Sequence, residues 1–348
     1  MRPEYIVGIV LLVLVGAGLA FLPSVPTTDA IATSEKKPAI RYKEIVSPSG
    51  FVNTNGRPVS IGEYVGTKVV LLEVMTYSCI NCQRSFPYAV AWYEKYKDQG
   101  LVIIGIHTPE FAFEKNIDNV RTAMQKYNIT FPVVLDNDYA TWNAYGNRFW
   151  PRKYLIDING NIVYDHIGEG AYDETEAEIV KALNERKKFL KEGGTVTTRG
   201  ASAVAEVVDF ERVKTPETYL GAARIQYLAN VPQQSCLSGS CSYTFKNKMP
   251  EGYELSGKWK TDSESTTLES GEGAIRIAFT ADKVNLVAGT MGKPVRAVVL
   301  VDGVAHAEVT IASHDLYNLV DLKGAYGTHV MEIQFIDPGV SAFAFTFG

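Results

Sequence analysis

Two cysteines one helical turn apart, Cys79 and Cys82, stand in the run Thr76-Tyr77-Ser78-Cys79-Ile80-Asn81-Cys82. Ahead of them Lys68 to Met75 is a near-continuous apolar run, and behind them Phe86, Val90, Tyr93 and Tyr96 recur at helical spacing. A Cys-x-x-Cys pair where a buried strand passes into a helix suits reversible dithiol/disulfide chemistry. Helix N-terminal N–H groups favour negative charge, so the first thiol is expected to form the attacking thiolate. Cys79 then attacks a partner disulfide, and Cys82, on the same helix face and less exposed, resolves the mixed disulfide.

Glu73 interrupts the apolar run six residues before Cys79. A carboxylate in a central strand is costly to bury without a task, and the bland alternative is one that reaches a strand edge and solvates. The second cysteine pair, Cys236 and Cys241, encloses Leu237-Ser238-Gly239-Ser240, a loop flexible enough to close a small structural disulfide; a redox pair that exchanges with Cys79 and Cys82 is the sharper alternative. Zinc held by all four thiolates is set aside, because the first pair sits at a strand-to-helix junction and the two pairs fall in different regions. No metal is expected, and no cofactor beyond the Cys79–Cys82 disulfide itself. His107 and Glu110 could line a dithiol cleft, whereas His166, His306, His314 and His329 show no metal-like spacing.

Those residues need a scaffold. Phe51-Val52 and Val59-Ser60-Ile61 flank the turn signal Asn53 to Gly56 and predict an opening hairpin. Strand Lys68 to Met75 has the apolar continuity of a strand covered on both faces. After the helix behind Cys82 come strand Leu101 to Ile106, a helix marked by Ile117, Val120, Met124 and Tyr127, strand Phe131 to Leu135, and a helical stretch over Tyr139 to Tyr145. Tyr154 to Asp157 and Ile162 to Tyr164 are joined by Asn159-Gly160, a hairpin signal, and a helix from Asp173 to Leu190 closes the unit. Beyond a Gly/Thr/Ala-rich stretch the texture changes to short alternating runs at Ala274–Phe279, Val284–Ala288, Val295–Val301, Ala307–Ile311, His329–Phe335 and Ala342–Phe347, which predict an antiparallel β-sandwich.

The chain has 348 residues, 46% hydrophobic and 21% charged, with a formal net charge of -5. This is globular composition with room for two domains, and without a basic cluster it excludes a nucleic-acid partner. Ile6 to Leu22 is uncharged and apolar, spans about 25 Å as a helix, and is followed by Pro23 and Pro26. A retained membrane anchor is expected; secretion after signal cleavage at Ala30-Ile31-Ala32 is the alternative, although that site lies far beyond the apolar run.

The runs Thr76 to Cys82, His107 to Phe111, Asp136 to Tyr139, Trp150-Pro151, Tyr154 to Asp157 and Gly168 to Tyr172 together resemble the thioredoxin-like domain of DipZ-type proteins, a branch of the TlpA-like thioredoxins. Thr215 to Gly221 looks like the start of that family's C-terminal, carbohydrate-binding-like module. The resemblance implies a thioredoxin fold. It implies that Pro151 is a cis-proline packed against the dithiol, that the Trp150 backbone can pair with an incoming peptide, and that Glu73 lies beneath the dithiol to relay the proton of Cys82. This chain departs from the family in having Met75 where a tryptophan is common and Arg152 where a small residue often follows the cis-proline, which alters the charge offered to a partner. A multispanning electron-transfer domain precedes the typical family member, and here one apolar segment stands in that place, so electrons are expected from a separate protein.

The resulting expectation is an anchor over 1–24, a linker over 25–44, a thioredoxin-like α/β domain over 45–192, a linker over 193–216 and an all-β sandwich over 217–348. Its activity is that of a membrane-anchored, extracytoplasmic thiol-disulfide oxidoreductase acting on protein thiols and disulfides, with a glycan or surface polymer as a further partner of the sandwich. Thr76 before Cys79 also resembles the Thr-x-x-Cys of peroxiredoxins, although Leu72 stands where their proline belongs. Thiol-dependent peroxidase activity and a redox-inactive binding module are therefore the competing readings.

Overall fold

The computed structural model describes residues 39–198, 208–249, 251–290 and 292–348. The expected anchor over 1–24, residues 25–38 of the first linker and 199–207 of the second lie outside the described residues. Among the described residues no helix is long and apolar enough to cross a membrane.

The N-terminal region builds a mixed sheet from β1 (Gly50–Val52), β2 (Val69–Met75), β3 (Leu101–His107), β4 (Val133–Leu135), β5 (Arg152–Ile156) and β6 (Ile162–Ile167). Their order is β1-β4-β3-β2-β5-β6, with β2, β3 and β4 parallel and the others antiparallel. Every residue of β2 is buried, as a strand covered on both faces requires. Val69, Leu71 and Met75 face α1 (Ile80–Tyr96) and α4 (Tyr172–Leu190) through Phe86, Trp92, Ile179 and Leu183. Val70, Leu72 and Val74 face Ile104, Ile106, Tyr154 and Trp142, the last from α3 (Ala140–Ala144), while α2 (Ile117–Lys126) packs Val120 and Met124 on the α1 side. This is a thioredoxin fold: a mixed sheet with helices on both faces. Met75 takes the space left by a glycine, since a Cβ on Gly105 would fall 2.6 Å from its Cε.

The expected opening hairpin is absent. β1 pairs with β4, and Val59 to Ile61 is buried loop. Asn53 turns the chain at positive φ and its Nδ2 donates to the Ile129 and Phe131 carbonyls. The Ile61 and Gly62 N–H groups donate to the Glu44 carboxylate, which replaces the strand partner they lack.

The C-terminal region is all β: β7 (Thr218–Tyr219), β8 (Gly239–Tyr243), β9 (Tyr253–Thr261), β10 (Thr266–Leu268), β11 (Gly273–Ala281), β12 (Lys283–Thr290), β13 (Val295–Val301), β14 (Val304–Ile311), β15 (Asp315–Asp321), β16 (Gly327–Phe335) and β17 (Val340–Phe347). Separate facing sheets were expected, but β9 belongs to both halves. Its Tyr253–Ser256 segment pairs with β11, and its Gly257–Thr261 segment pairs with β8 and β10. The strand turns between the halves at Gly257, φ 100°, where a Cβ would meet the Glu272 carbonyl oxygen at 2.8 Å. The order β14-β13-β16-β11-β9-β10-β17-β12-β15 is one continuous sheet, with β7 added on β17 and β8 on β9. Its end strands β14 and β15 follow each other directly in the chain, so the sheet rolls into a near-barrel around Trp259, Phe279, Phe335 and Phe345.

The described residues form one compact unit. The segment expected to be a linker packs at both ends: Asn184 bonds both backbone groups of Val196, and Lys214 and Thr215 bond Thr280. The two regions meet through Phe111 and Phe113, which stack on each other and contact Phe343 at centroid distances of 5.2 and 4.9 Å. Polar contacts flank this cluster, with Ala112 N–H donating to Glu264, Tyr77 Oη donating to the His314 carbonyl, and Lys126 pairing with Asp315.

Candidate active site

Cys79 is the N-cap of α1 and has extended backbone, so its side chain sits where the first N–H groups of the helix are unsatisfied. It is half-buried, Cys82 is fully buried, and both are free thiols. Burial pushes the Cys82 thiol well up, and a hydrogen bond to Cys79 adds to this, while the Thr76 backbone works the other way.

Glu73 is at 0% exposure, and its charge acts on the Cys82 thiol, raising that thiol's pKa. Its partner is Lys153 of β5, also at 0% exposure and 3.2 Å away; the register of β2 against β5 sets the two opposite each other. Lys153 Nζ donates to Ser85 Oγ at 2.8 Å, and Ser85 Oγ donates to Glu73 Oε1 at 3.0 Å, which ties the pair to α1. Burial raises the Glu73 pKa, and Lys153 and Ser85 oppose the rise. The solvated alternative for Glu73 is thereby ruled out.

The loop before Cys79 is held by Glu114, which is fully buried. Its Oε1 accepts from Ser78 Oγ at 2.6 Å and Ser78 N at 3.3 Å, and its Oε2 accepts from the N–H groups of Glu110 and Phe111. Sequence reasoning missed both Lys153 and Glu114. A lysine at the head of the apolar run Tyr154-Leu155-Ile156 was a signal for the first; the second has none, because its role depends on a loop folding back.

The Trp150–Pro151 peptide is cis. The Trp150 indole donates to the Thr108 carbonyl at 3.0 Å and packs on Trp142. Arg152, expected to alter the charge offered to a partner, forms a two-pronged pair with Asp165 on β6 and is not among the residues lining the cleft. His107 is buried against Tyr77, and burial lowers its pKa to about 3, so it is neutral; it does not line the cleft. Glu110 does line it, bonded by Arg224 at 2.7 Å and Tyr219 Oη at 2.8 Å.

Cys79, Trp150 and Glu110 share a cleft of about 430 Å³ that is also lined by Phe210, in the segment leading into the C-terminal region, and by Glu217, Tyr219, Arg224 and Phe347. No sequence signal had placed these residues at the dithiol. Cys236 and Cys241 are bonded to each other, outside this cleft, where the Cys236 carbonyl accepts from Tyr243 Oη.

Comparison with known proteins covers both regions. The Redoxin family matches residues 33–183, and the family described as Thioredoxin like C-terminal domain matches 215–348. Protein DipZ of Mycobacterium tuberculosis is 34% identical over 304 residues, 86% of this chain and 42% of DipZ. Thiol-disulfide oxidoreductase ResA of Bacillus subtilis is 32% identical over 111 residues, 32% of this chain and 59% of ResA. NHL repeat-containing protein 2 of Homo sapiens is 38% identical over 147 residues, 42% of this chain and 20% of that protein. The chain thus spans about two fifths of the length of the DipZ relatives it matches. The 304-residue alignment runs through both regions, so the chain is similar to DipZ across a Redoxin region, residues 33–183, followed by a thioredoxin-like C-terminal domain, residues 215–348.

Proposed function

We propose that the protein is a thiol-disulfide oxidoreductase acting through Cys79 and Cys82, held outside the cytoplasm by the apolar segment Ile6 to Leu22. The observation that carries the activity is the half-buried Cys79 at the α1 N-terminus, facing the cleft, with the buried Cys82 one turn behind it. The Cys79 thiolate attacks one sulfur of a substrate disulfide, forming the mixed disulfide and expelling the first substrate thiolate. Cys82 gives its proton to Glu73 and attacks Cys79 Sγ, so the second substrate thiolate leaves and the Cys79–Cys82 disulfide forms. Two electrons pass to the substrate and are returned by an external dithiol reductant. Glu73 suits the acceptor role because burial raises its pKa and its charge acts on Cys82. The closed Cys236–Cys241 bond supports a location in an oxidising compartment.

Insulin reduction coupled to a dithiol reductant tests this reading. Cys79→Ser should abolish turnover, and Cys82→Ser should accumulate a covalent mixed disulfide with the substrate. Unchanged turnover in Cys79→Ser would refute the mechanism.

A further inference from the structure

Four polar side chains on the cleft walls, Glu110, Glu217, Tyr219 and Arg224, are already engaged with one another. Arg224 bonds Glu110 and lies over the Tyr219 ring, and Tyr219 Oη donates to both Glu110 and Glu217. Beside the exposed Arg148, what the cleft leaves open to a ligand includes two aromatic faces. Phe149 of the thioredoxin region is 49% exposed and Phe210, in the segment that leads into the C-terminal region, is 53% exposed, and both line the cleft that holds Cys79. Val213 and Phe347 extend the apolar wall beside Phe210. Exposed aromatic faces bordering a nucleophile from two regions are costly in water and gain most when a ligand's apolar side chain covers them.

The cleft volume, about 430 Å³, is in the range of a site for a small molecule or a short segment and not a surface for a folded domain. Resting on the exchange chemistry above, we propose that the C-terminal domain, with the segment leading into it, is the second wall of the substrate site and selects an extended segment that carries an aromatic or large aliphatic residue next to its reacting cysteine. That side chain inserts between Phe149 and Phe210 while the sulfur meets Cys79.

The test uses the full chain in its dithiol form and two unstructured peptides, identical except for Phe or Ser beside the cysteine, each carrying thionitrobenzoate as a mixed disulfide. Attack by Cys79 and resolution by Cys82 oxidise the protein dithiol and release peptide thiol and thionitrobenzoate, which is read by absorbance. Covering about half of a Phe side chain corresponds to a preference of about tenfold in kcat/KM for the Phe peptide. Phe149→Ser and Phe210→Ser should each shrink this ratio, and the double variant should bring it to about one. Both positions are exposed, and a ratio measured within one variant is insensitive to a general loss of rate. Val304→Ser, at an exposed hairpin tip outside the cleft, should leave the ratio at its wild-type value. A wild-type ratio near one, or an undiminished ratio in the double variant, overturns the proposal. No reaction even with the free small aromatic disulfide dithiobis-nitrobenzoate would instead overturn the exchange chemistry on which it rests.

Discussion

Replacing Lys153 by methionine isolates the charge pair it forms with Glu73. Glu73 and Lys153 are both at 0% exposure and 3.2 Å apart, and methionine keeps the apolar stem while removing the charge. Removing one partner of such a pair costs about 3–5 kcal/mol when the other stays charged. Glu73 can escape part of this by taking a proton, since burial already raises its pKa and Lys153 is what restrains the rise. A carboxyl whose folded pKa exceeds its unfolded value, about 4.3, binds more protons folded than unfolded, so its contribution to stability falls as pH rises. The variant raises the folded pKa further, and its deficit against wild type opens where the folded wild-type carboxyl ionises, above the ordinary carboxylate range. The deficit grows by at most about 1.4 kcal/mol per pH unit, so 3–5 kcal/mol is spread over roughly two to four units. Lys153→Met should match wild type near pH 4 and lie about 3 kcal/mol or more below it at pH 8. Urea unfolding across that range, followed by the fluorescence of the buried Trp92 and Trp142, measures it. Glu73→Gln combined with Lys153→Met should flatten the profile. A deficit independent of pH, or none at pH 8, would refute an ion pair at this place.

Glu114→Gln turns an acceptor of Ser78, Glu110 and Phe111 donors into a group that presents donors to donors, and should lower unfolding stability by about 2–4 kcal/mol. Denaturant unfolding checks this; a loss under about 1 kcal/mol would mean the carboxylate does not hold the loop. Replacing Cys236 and Cys241 together by alanine opens a bond with a sequence separation of 5 and should cost about 2 kcal/mol, read as a lower Tm. Insulin reduction should survive that change, because the bond lies outside the dithiol cleft; loss of turnover would make this pair a second redox centre.

Much of the thioredoxin region was legible because its signals are local. Strand β2 and the Asn159-Gly160 hairpin follow from apolar continuity and turn chemistry, and helix α1 from apolar spacing. The alternating runs assigned to the C-terminal strands lie within β11, β12, β13, β14, β16 and β17. β7, β8, β9, β10 and β15 escaped notice: β7, β8 and β10 are short, and β9 is broken by Gly257, which divides its pairing between β11 on one side of the break and β8 and β10 on the other. The opening hairpin was misread because the same turn signal suits a loop whose N–H groups are taken by Glu44.

By itself the sequence determined which atoms could exchange electrons, Cys79 and Cys82, and the strand and helix that bear them, since both rest on neighbours within one turn or one strand. It also marked Glu73 as out of place without saying what it meets. Only the tertiary structure decided that Lys153 stands opposite it, that Glu114 holds the loop before Cys79, and that residues more than a hundred positions further on wall the cleft. Strand register and domain docking bring these groups together, and both depend on burial summed over whole faces, which no local pattern of residues encodes.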